Sequence, residues 1–153
     1  MGIEKDIQQK QFRTIYQKLT VNLIYSTNWL LEQVKLFLQE EDITSQQYNI
    51  LRILRGSKIP LSTLQIRERM LDKMSDTSRI VQRLLKKGLV EKKICIADKR
   101  LVDIKISATG LALLSRMDEK NEQLDQILSE LSSDEATILS DLLDKMRCKV
   151  PTP

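Results

Sequence analysis

Apolar residues recur along the first forty positions at steps of four, seven and eight: Ile7, Ile15, Leu19, Leu23, Leu30, Val34 and Leu38. No proline interrupts them. The spacing predicts one long amphipathic helix over residues 3–38, with a possible break near Thr20 to Asn22. Thr44-Ser-Gln-Gln47 has the spacing of a capping box, in which a hydroxyl and a Gln side chain satisfy each other's backbone N–H groups. It opens a helix through Tyr48, Leu51, Ile53 and Leu54 that Gly56 ends, and Pro60 turns the chain. Ser62-Thr-Leu-Gln65 is a second such box, starting a short helix to about Met70.

Ser75 is the expected cap of the next helix, whose apolar positions are Ile80, Val81, Leu84 and Leu85. Gly88 suits a left-handed C-cap, with Lys86 and Lys87 in the favourable last turn. A strand then starts at Leu89-Val90. Ile94 and Ile96 share one face of it, and Val102, Ile104 and Ile106 one face of a returning strand, so a half-buried hairpin is expected with Ala97-Asp98-Lys99-Arg100 at its tip. Ser107 caps a long helix in which positions 114, 117, 121, 124, 128 and 131 alternate by three and four, a heptad seam with Asn121 at one core position. Ser132-Ser-Asp-Glu135 is a third capping box, before a last helix carrying Ile138, Leu139, Leu142, Leu143 and Met146. The terminal helices present more apolar surface than a small central module can cover. Since helices draw most of their stability from packing, two copies should pair through them, the alternative being an intramolecular bundle.

Charge sharpens this picture. The net balance is only +4, yet Ser62 to Lys105 holds 12 Lys/Arg against 6 Asp/Glu, while Leu111 to Met146 holds 3 against 9. A basic pair of helices followed by a basic hairpin is the footprint of a nucleic-acid partner. No apolar run approaches the roughly 20 residues of a membrane span, so a cytoplasmic protein with no membrane contact is expected. The 153 residues contain no histidine, and Cys95 and Cys148 have no metal-ligand spacing. Neither a nucleophile elbow nor a phosphate loop is present, so no enzyme activity and no cofactor are expected. No role is assigned to either cysteine.

By its motifs the chain resembles the multiple antibiotic resistance regulator (MarR) family of winged-helix transcription factors. The resemblance rests on Ser78-Arg79-Ile80-Val81-Gln82-Arg83-Leu84, Lys87-Gly88-Leu89-Val90-Glu91-Lys92, Asp98-Lys99-Arg100, and Ser107 with Gly110. It implies a mostly α fold with a small β-wing. Residues 44–107 would form the DNA-binding winged helix-turn-helix. Residues 1–38 and 108–148 would form dimerisation helices, within one MarR-like chain over residues 1–153. It further implies a homodimer on a palindromic double-stranded DNA operator, usually acting as a repressor, and often released by a small aromatic or lipophilic effector. One branch of the family senses oxidants through a cysteine in its first helix; here no Cys precedes Cys95.

Candidate site residues follow. Ser75, Asp76, Thr77, Ser78, Arg79, Gln82 and Arg83 belong to the recognition helix, with Asp76, Thr77, Ser78, Arg79 and Gln82 exposed toward the groove. Gln and Arg can pair bidentately with adenine and guanine, although Arg79 could equally meet a phosphate or solvent. Asp76 fits a helix-dipole role, and Arg83 a structural or phosphate one. In the wing, Arg100 is a candidate for the minor groove, oriented by Asp98, with Lys92, Lys93 and Lys99 on phosphates. Ser62 and Thr63, opening their helix, are further phosphate candidates. Tyr25, Trp29 and Tyr48 are candidate effector-pocket residues, though lone aromatics on helices are more often core. A winged helix that binds protein rather than DNA remains the alternative, since fold alone does not decide function.

Overall fold

Among the described residues, six of the eight α-helices begin at a side chain that accepts a hydrogen bond from the backbone three residues on, and those bonds set the element boundaries. The structure is a computed structural model that describes residues 2–94 and 102–148. In chain order it contains α1 (Ile3–Asp6), α2 (Ile15–Leu38), one 3-10 turn (Gln39–Glu41), α3 (Ser45–Gly56), β1 (Leu61–Ser62), α4 (Thr63–Arg69) and α5 (Thr77–Lys86). There follow β2 (Val90–Ile94), β3 (Val102–Ile106), α6 (Ala108–Asp118), α7 (Asn121–Gln126) and α8 (Ser133–Arg147). The chain divides into two compact units, the first ending at Glu119 and the second starting at Lys120. The expected wing tip, with Cys95, Ile96, Asp98, Lys99 and Arg100, lies outside the described residues.

All three expected capping boxes are present, at Thr44/Gln47, Ser62/Gln65 and Ser132/Glu135. In the last, the Ser132 N–H on the Glu135 carboxylate lowers the pKa of that side chain. Three boundaries differ from expectation. The first helix breaks at residues 7–14 rather than at Thr20–Asn22: Gln8 has a positive φ of 55°, and Thr14 caps α2 anew through Gln17 N–H. The eight-residue step from Ile7 to Ile15 concealed this, because it keeps phase with a helix that is no longer there. A Lys18–Glu4 ion pair of 2.5 Å ties α1 to α2 and lowers the Glu4 pKa.

Secondly, Asp76 rather than Ser75 caps α5, its carboxylate accepting from Arg79 N–H at 3.1 Å. Thirdly, the helix from Ser107 stops at Asp118, and α7 starts separately at Asn121. Between Met117 and Ile127 only Leu124 is apolar, so no stripe holds a continuous helix by packing. The expected heptad seam is thereby divided, and Asn121 is exposed at a helix start.

In the first unit the sheet order is β1-β3-β2, all antiparallel. β1 was not anticipated, two residues being too short to show alternation. Leu61 pairs with Ile104, Val90 with Ile106 and Ile94 with Val102. The hairpin is buried at its base, at Val90 and Ile104, and opens to solvent at Ile94 and Val102. The core gathers Leu38, Ile50, Leu51, Ile66, Leu84, Leu114 and Met117 from five helices. The Ser107 hydroxyl, itself buried, accepts from Gly110 N–H at 3.0 Å and donates to the Gly88 carbonyl at 2.7 Å. Gly88 sits at φ 69°, the left-handed cap its sequence position predicts.

Gly110 has no room for a side chain: a Cβ there would lie 2.2 Å from the Leu89 carbonyl oxygen and 2.8 Å from Ile106 Cγ1. Gly110→Ala is expected to destabilise the protein by about 1–3 kcal/mol or more. Chemical denaturation, read as a lowered midpoint at unchanged slope, checks this.

Candidate nucleic-acid interface

α5 turns Val81 and Leu84 into the core and leaves Ser78, Arg79, Gln82 and Arg83 exposed. This is the division its sequence predicts, with one exception. Thr77, expected on the exposed face, is 3% exposed, and its hydroxyl has no hydrogen-bond partner. As the first helical residue after the cap it packs inward, and Ser78 and Arg79 take the outward positions. Ser75 is half-buried and donates its hydroxyl to the Asp72 carbonyl at 2.8 Å.

Asp76 caps the helix through Oδ1, and its Oδ2 lies 4.0 Å from Arg79 Nε. An acidic side chain at this end also complements the helix dipole. Both groups are well exposed, so the Asp76–Arg79 attraction contributes little. Capping is the larger effect.

Side chains from α4, α5 and the sheet converge beside this face. Thr63, Ser78, Gln82 and Lys92 line one open concavity of about 220 Å³, floored by Val81, Val102 and Ile104. The helices fix Thr63, Ser78 and Gln82, and the β2–β3 ladder fixes Lys92. Lys93 is exposed next to it on β2. Ser62 sits at the start of α4 with its N–H and hydroxyl oxygen taken up in the capping box. Such a face, carrying amide, hydroxyl and cationic groups with few acidic ones, can meet base edges and phosphates together.

The three aromatic candidates differ in exposure. Tyr48 is core, and its hydroxyl accepts from Arg52 at 3.2 Å, whereas Tyr25 and Trp29 are exposed on α2. An open groove of about 1180 Å³ is lined instead by Thr27, Leu31, Leu36, Ile43, Gln47 and Met70, among others. Among the described residues no cluster of His, Cys, Asp or Glu could hold a metal, and no helix is long and apolar enough to cross a membrane. Cys148 is exposed.

Residues 43–102, which run from the start of α3 into β3, match the family model described as MarR family. Over that span the chain is similar to the MarR family. The same architecture extends over most of the chain in solved structures of MarR-type regulators. A cysteine-to-serine mutant of Escherichia coli MarR complexed with operator DNA is 26% identical, with a TM-score of 0.74, covering 82% of this chain and 91% of that one. The organohalide-sensing regulator RdhR-CbdbA1625, in its 2,4-dichlorophenol-bound form, is 22% identical at a TM-score of 0.80, covering 91% and 85%. A MarR-like regulator from Bacillus cereus is 20% identical at 0.78, covering 89% and 98%. No curated protein matches the chain. The chain thus has a MarR-type transcription-regulator fold, mostly helical with a small three-stranded antiparallel sheet.

Several residues that position this face were not singled out in the sequence. Asn49 Oδ1 accepts from Leu71 N–H at 2.9 Å, and Asp72 Oδ1 from Met74 N–H at 3.0 Å, fixing the turn between α4 and α5. An Asp that bonds the backbone two residues on is a readable turn signal. Asn49 is a long-range partner with no local signature. The cap itself can be tested. Asp76→Ala is expected to cost about 0.5–2 kcal/mol of stability, and Asp76→Asn much less, by thermal or denaturant unfolding.

Proposed function

We propose that this protein is a homodimeric, sequence-specific DNA-binding transcription regulator of the cytoplasm. It would repress a palindromic operator until a small molecule releases it. The observation that carries this reading is the convergence of Thr63, Ser78, Gln82 and Lys92 on one open concavity, with Arg79, Arg83 and Lys93 exposed on the same two elements. Gln82 and Arg79 are the base readers, each good bidentate pair giving about 1–3 kcal/mol of discrimination. Lys92, Lys93 and the first turn of α4 hold phosphates, and on this reading Arg100 enters the minor groove. The operator complex of the Escherichia coli relative supports a DNA partner, and the 2,4-dichlorophenol complex supports an aromatic effector. The open groove beside α2 and α3 is its seat in this chain.

The dimer is supported by apolar surface. On α2, Ile15, Ile24, Leu31 and Leu36 are each more than half exposed, and on α8 so are Ile138 and Leu142. Exposed apolar side chains at this density mark an interaction face. A second copy of the chain covers it.

Selection from a random duplex pool should yield a palindromic sequence. Affinity for that duplex should fall by ~10³-fold or more between about 50 and 200 mM salt. Gln82→Ala should lose roughly tenfold to a hundredfold on the selected duplex and little on others, whereas Lys93→Ala should weaken all duplexes alike. No enriched sequence and a flat salt response would overturn the reading. In sedimentation, the wild type should run as two chains. Ile138→Glu combined with Leu142→Glu should give single chains that bind the palindrome poorly, and a wild-type monomer would refute the dimer.

A further inference from the structure

The turn between α4 and α5 carries a side chain that the reading above does not use. Met74 is 94% exposed, the highest value among the large apolar side chains described, and it lies two residues before the cap of α5. The backbone around it is firmly held. Met74 N–H donates to Asp72 Oδ1 at 3.0 Å, the Ser75 hydroxyl to the Asp72 carbonyl at 2.8 Å, and Thr77 N–H to the Ser75 carbonyl at 3.1 Å. Leu71 N–H is held by Asn49, and Lys73 Nζ donates to the Glu68 carbonyl at 2.5 Å. A rigid turn therefore presents a thioether side chain to water, where a polar residue would sit at no cost.

The surroundings indicate what covers it. From Arg67 to Arg83 there are five basic side chains and three acidic ones. Two of those acids, Asp72 and Asp76, bind the backbone N–H groups of Met74 and Arg79. The turn leads directly into α5, where Arg79, Gln82 and Arg83 are exposed, and basic side chains outnumber acidic ones over the span, which suits a polyanion better than an apolar protein face. Leu71, also exposed, borders the groove against α2 and α3; Met74 does not line it. In the major groove of DNA the one apolar group is the thymine methyl.

We propose that Met74 is a specificity-determining residue that packs on a thymine methyl at the edge of each half-site. This rests on the DNA-binding reading. Burying one methyl group corresponds to about fourfold in affinity.

The test uses the full chain and the duplex it selects from a random pool, resynthesised with deoxyuridine replacing thymidine one position at a time. At one thymine per half-site, wild type should lose about fourfold. Met74→Ala should bind the thymine duplex as weakly as wild type binds the uracil one, with no further loss on replacement. Met74→Leu should restore the discrimination. Since the side chain is solvent-exposed, these variants should unfold at the wild-type midpoint. Indifference of wild type to uracil at every position would overturn the proposal and leave DNA binding standing, with a protein partner as the occupant of Met74. An equal loss in wild type and Met74→Ala would do the same. Failure of wild type to select any duplex would remove the DNA-binding reading and this inference with it.

Discussion

The Ser107 hydroxyl holds the end of α5, the end of β3 and the start of α6 to one another. It donates to the Gly88 carbonyl at 2.7 Å and accepts from Gly110 N–H at 3.0 Å, while Ser107 N–H donates to the Leu89 carbonyl at 3.1 Å. Ser107, Leu89 and Gly110 are buried, so their polar groups would be orphaned if a partner left, at about 1–3 kcal/mol apiece. Only Gly88 reaches the required φ of 69° without strain, and only Gly110 lets the helix approach the Leu89 carbonyl. Three chain segments are thereby fixed within a few ångströms of one atom. The angle between α5 and the sheet follows from that junction, and with it the concavity in which Gln82 and Lys92 meet.

From this junction α6 runs across the core. Leu113, Leu114 and Met117 are buried on it, and two forked ion pairs flank them, Arg55–Asp118 and Arg116–Glu41, each at 2.6–2.7 Å. Hydrogen bonds donated to the Asp118 and Glu41 carboxylates raise the pKa of the two guanidinium groups. All four side chains keep some solvent, so the ion pairs contribute little to stability. Each buried Leu or Met contributes about 1.5–3 kcal/mol. The apolar face therefore sets how strongly α6 is held, and the forked pairs, by their planar geometry, set its rotation.

Much of this was legible in the sequence, and for a common reason. A capping box couples residues three apart, so Thr44/Gln47, Ser62/Gln65 and Ser132/Glu135 were visible locally, as was the left-handed glycine after α5. What the sequence concealed involved either phase or distance. Ile7 and Ile15 kept helical phase across a real break, and the alternation from Leu114 to Leu131 ran through a stretch too polar to hold one helix. Ser75 and Asp76 are both good caps, and the choice between them depended on Asp72, which engages Ser75 in a turn instead. Thr77 moved inward for the same one-residue reason. β1 needed Ile104 and Asp103 as partners, forty residues away, before it could exist. Within the site, exposure was right for Asp76, Ser78, Arg79 and Gln82 because the apolar stripe of α5 is unambiguous.

The two units differ in how they could be stable. The first buries a core drawn from five helices and all three strands, while no residue of α7 or α8 is buried. α8 has 15 residues, a capping box, and acidic and basic side chains at the matching ends of its dipole. Such local terms are each worth a fraction of a kcal/mol to about 1 kcal/mol, and an isolated helix of this length is marginal in water. The missing stabilisation has to come from covering Ile138, Leu139, Leu142 and Met146. On the dimeric reading a second copy supplies it, and the stability of the C-terminal helices then rises with protein concentration. The DNA-reading module would carry its own folding free energy, and the spacing between two such modules would depend on association. On the same reading, that separation would let the distance between the two modules change without unfolding either of them.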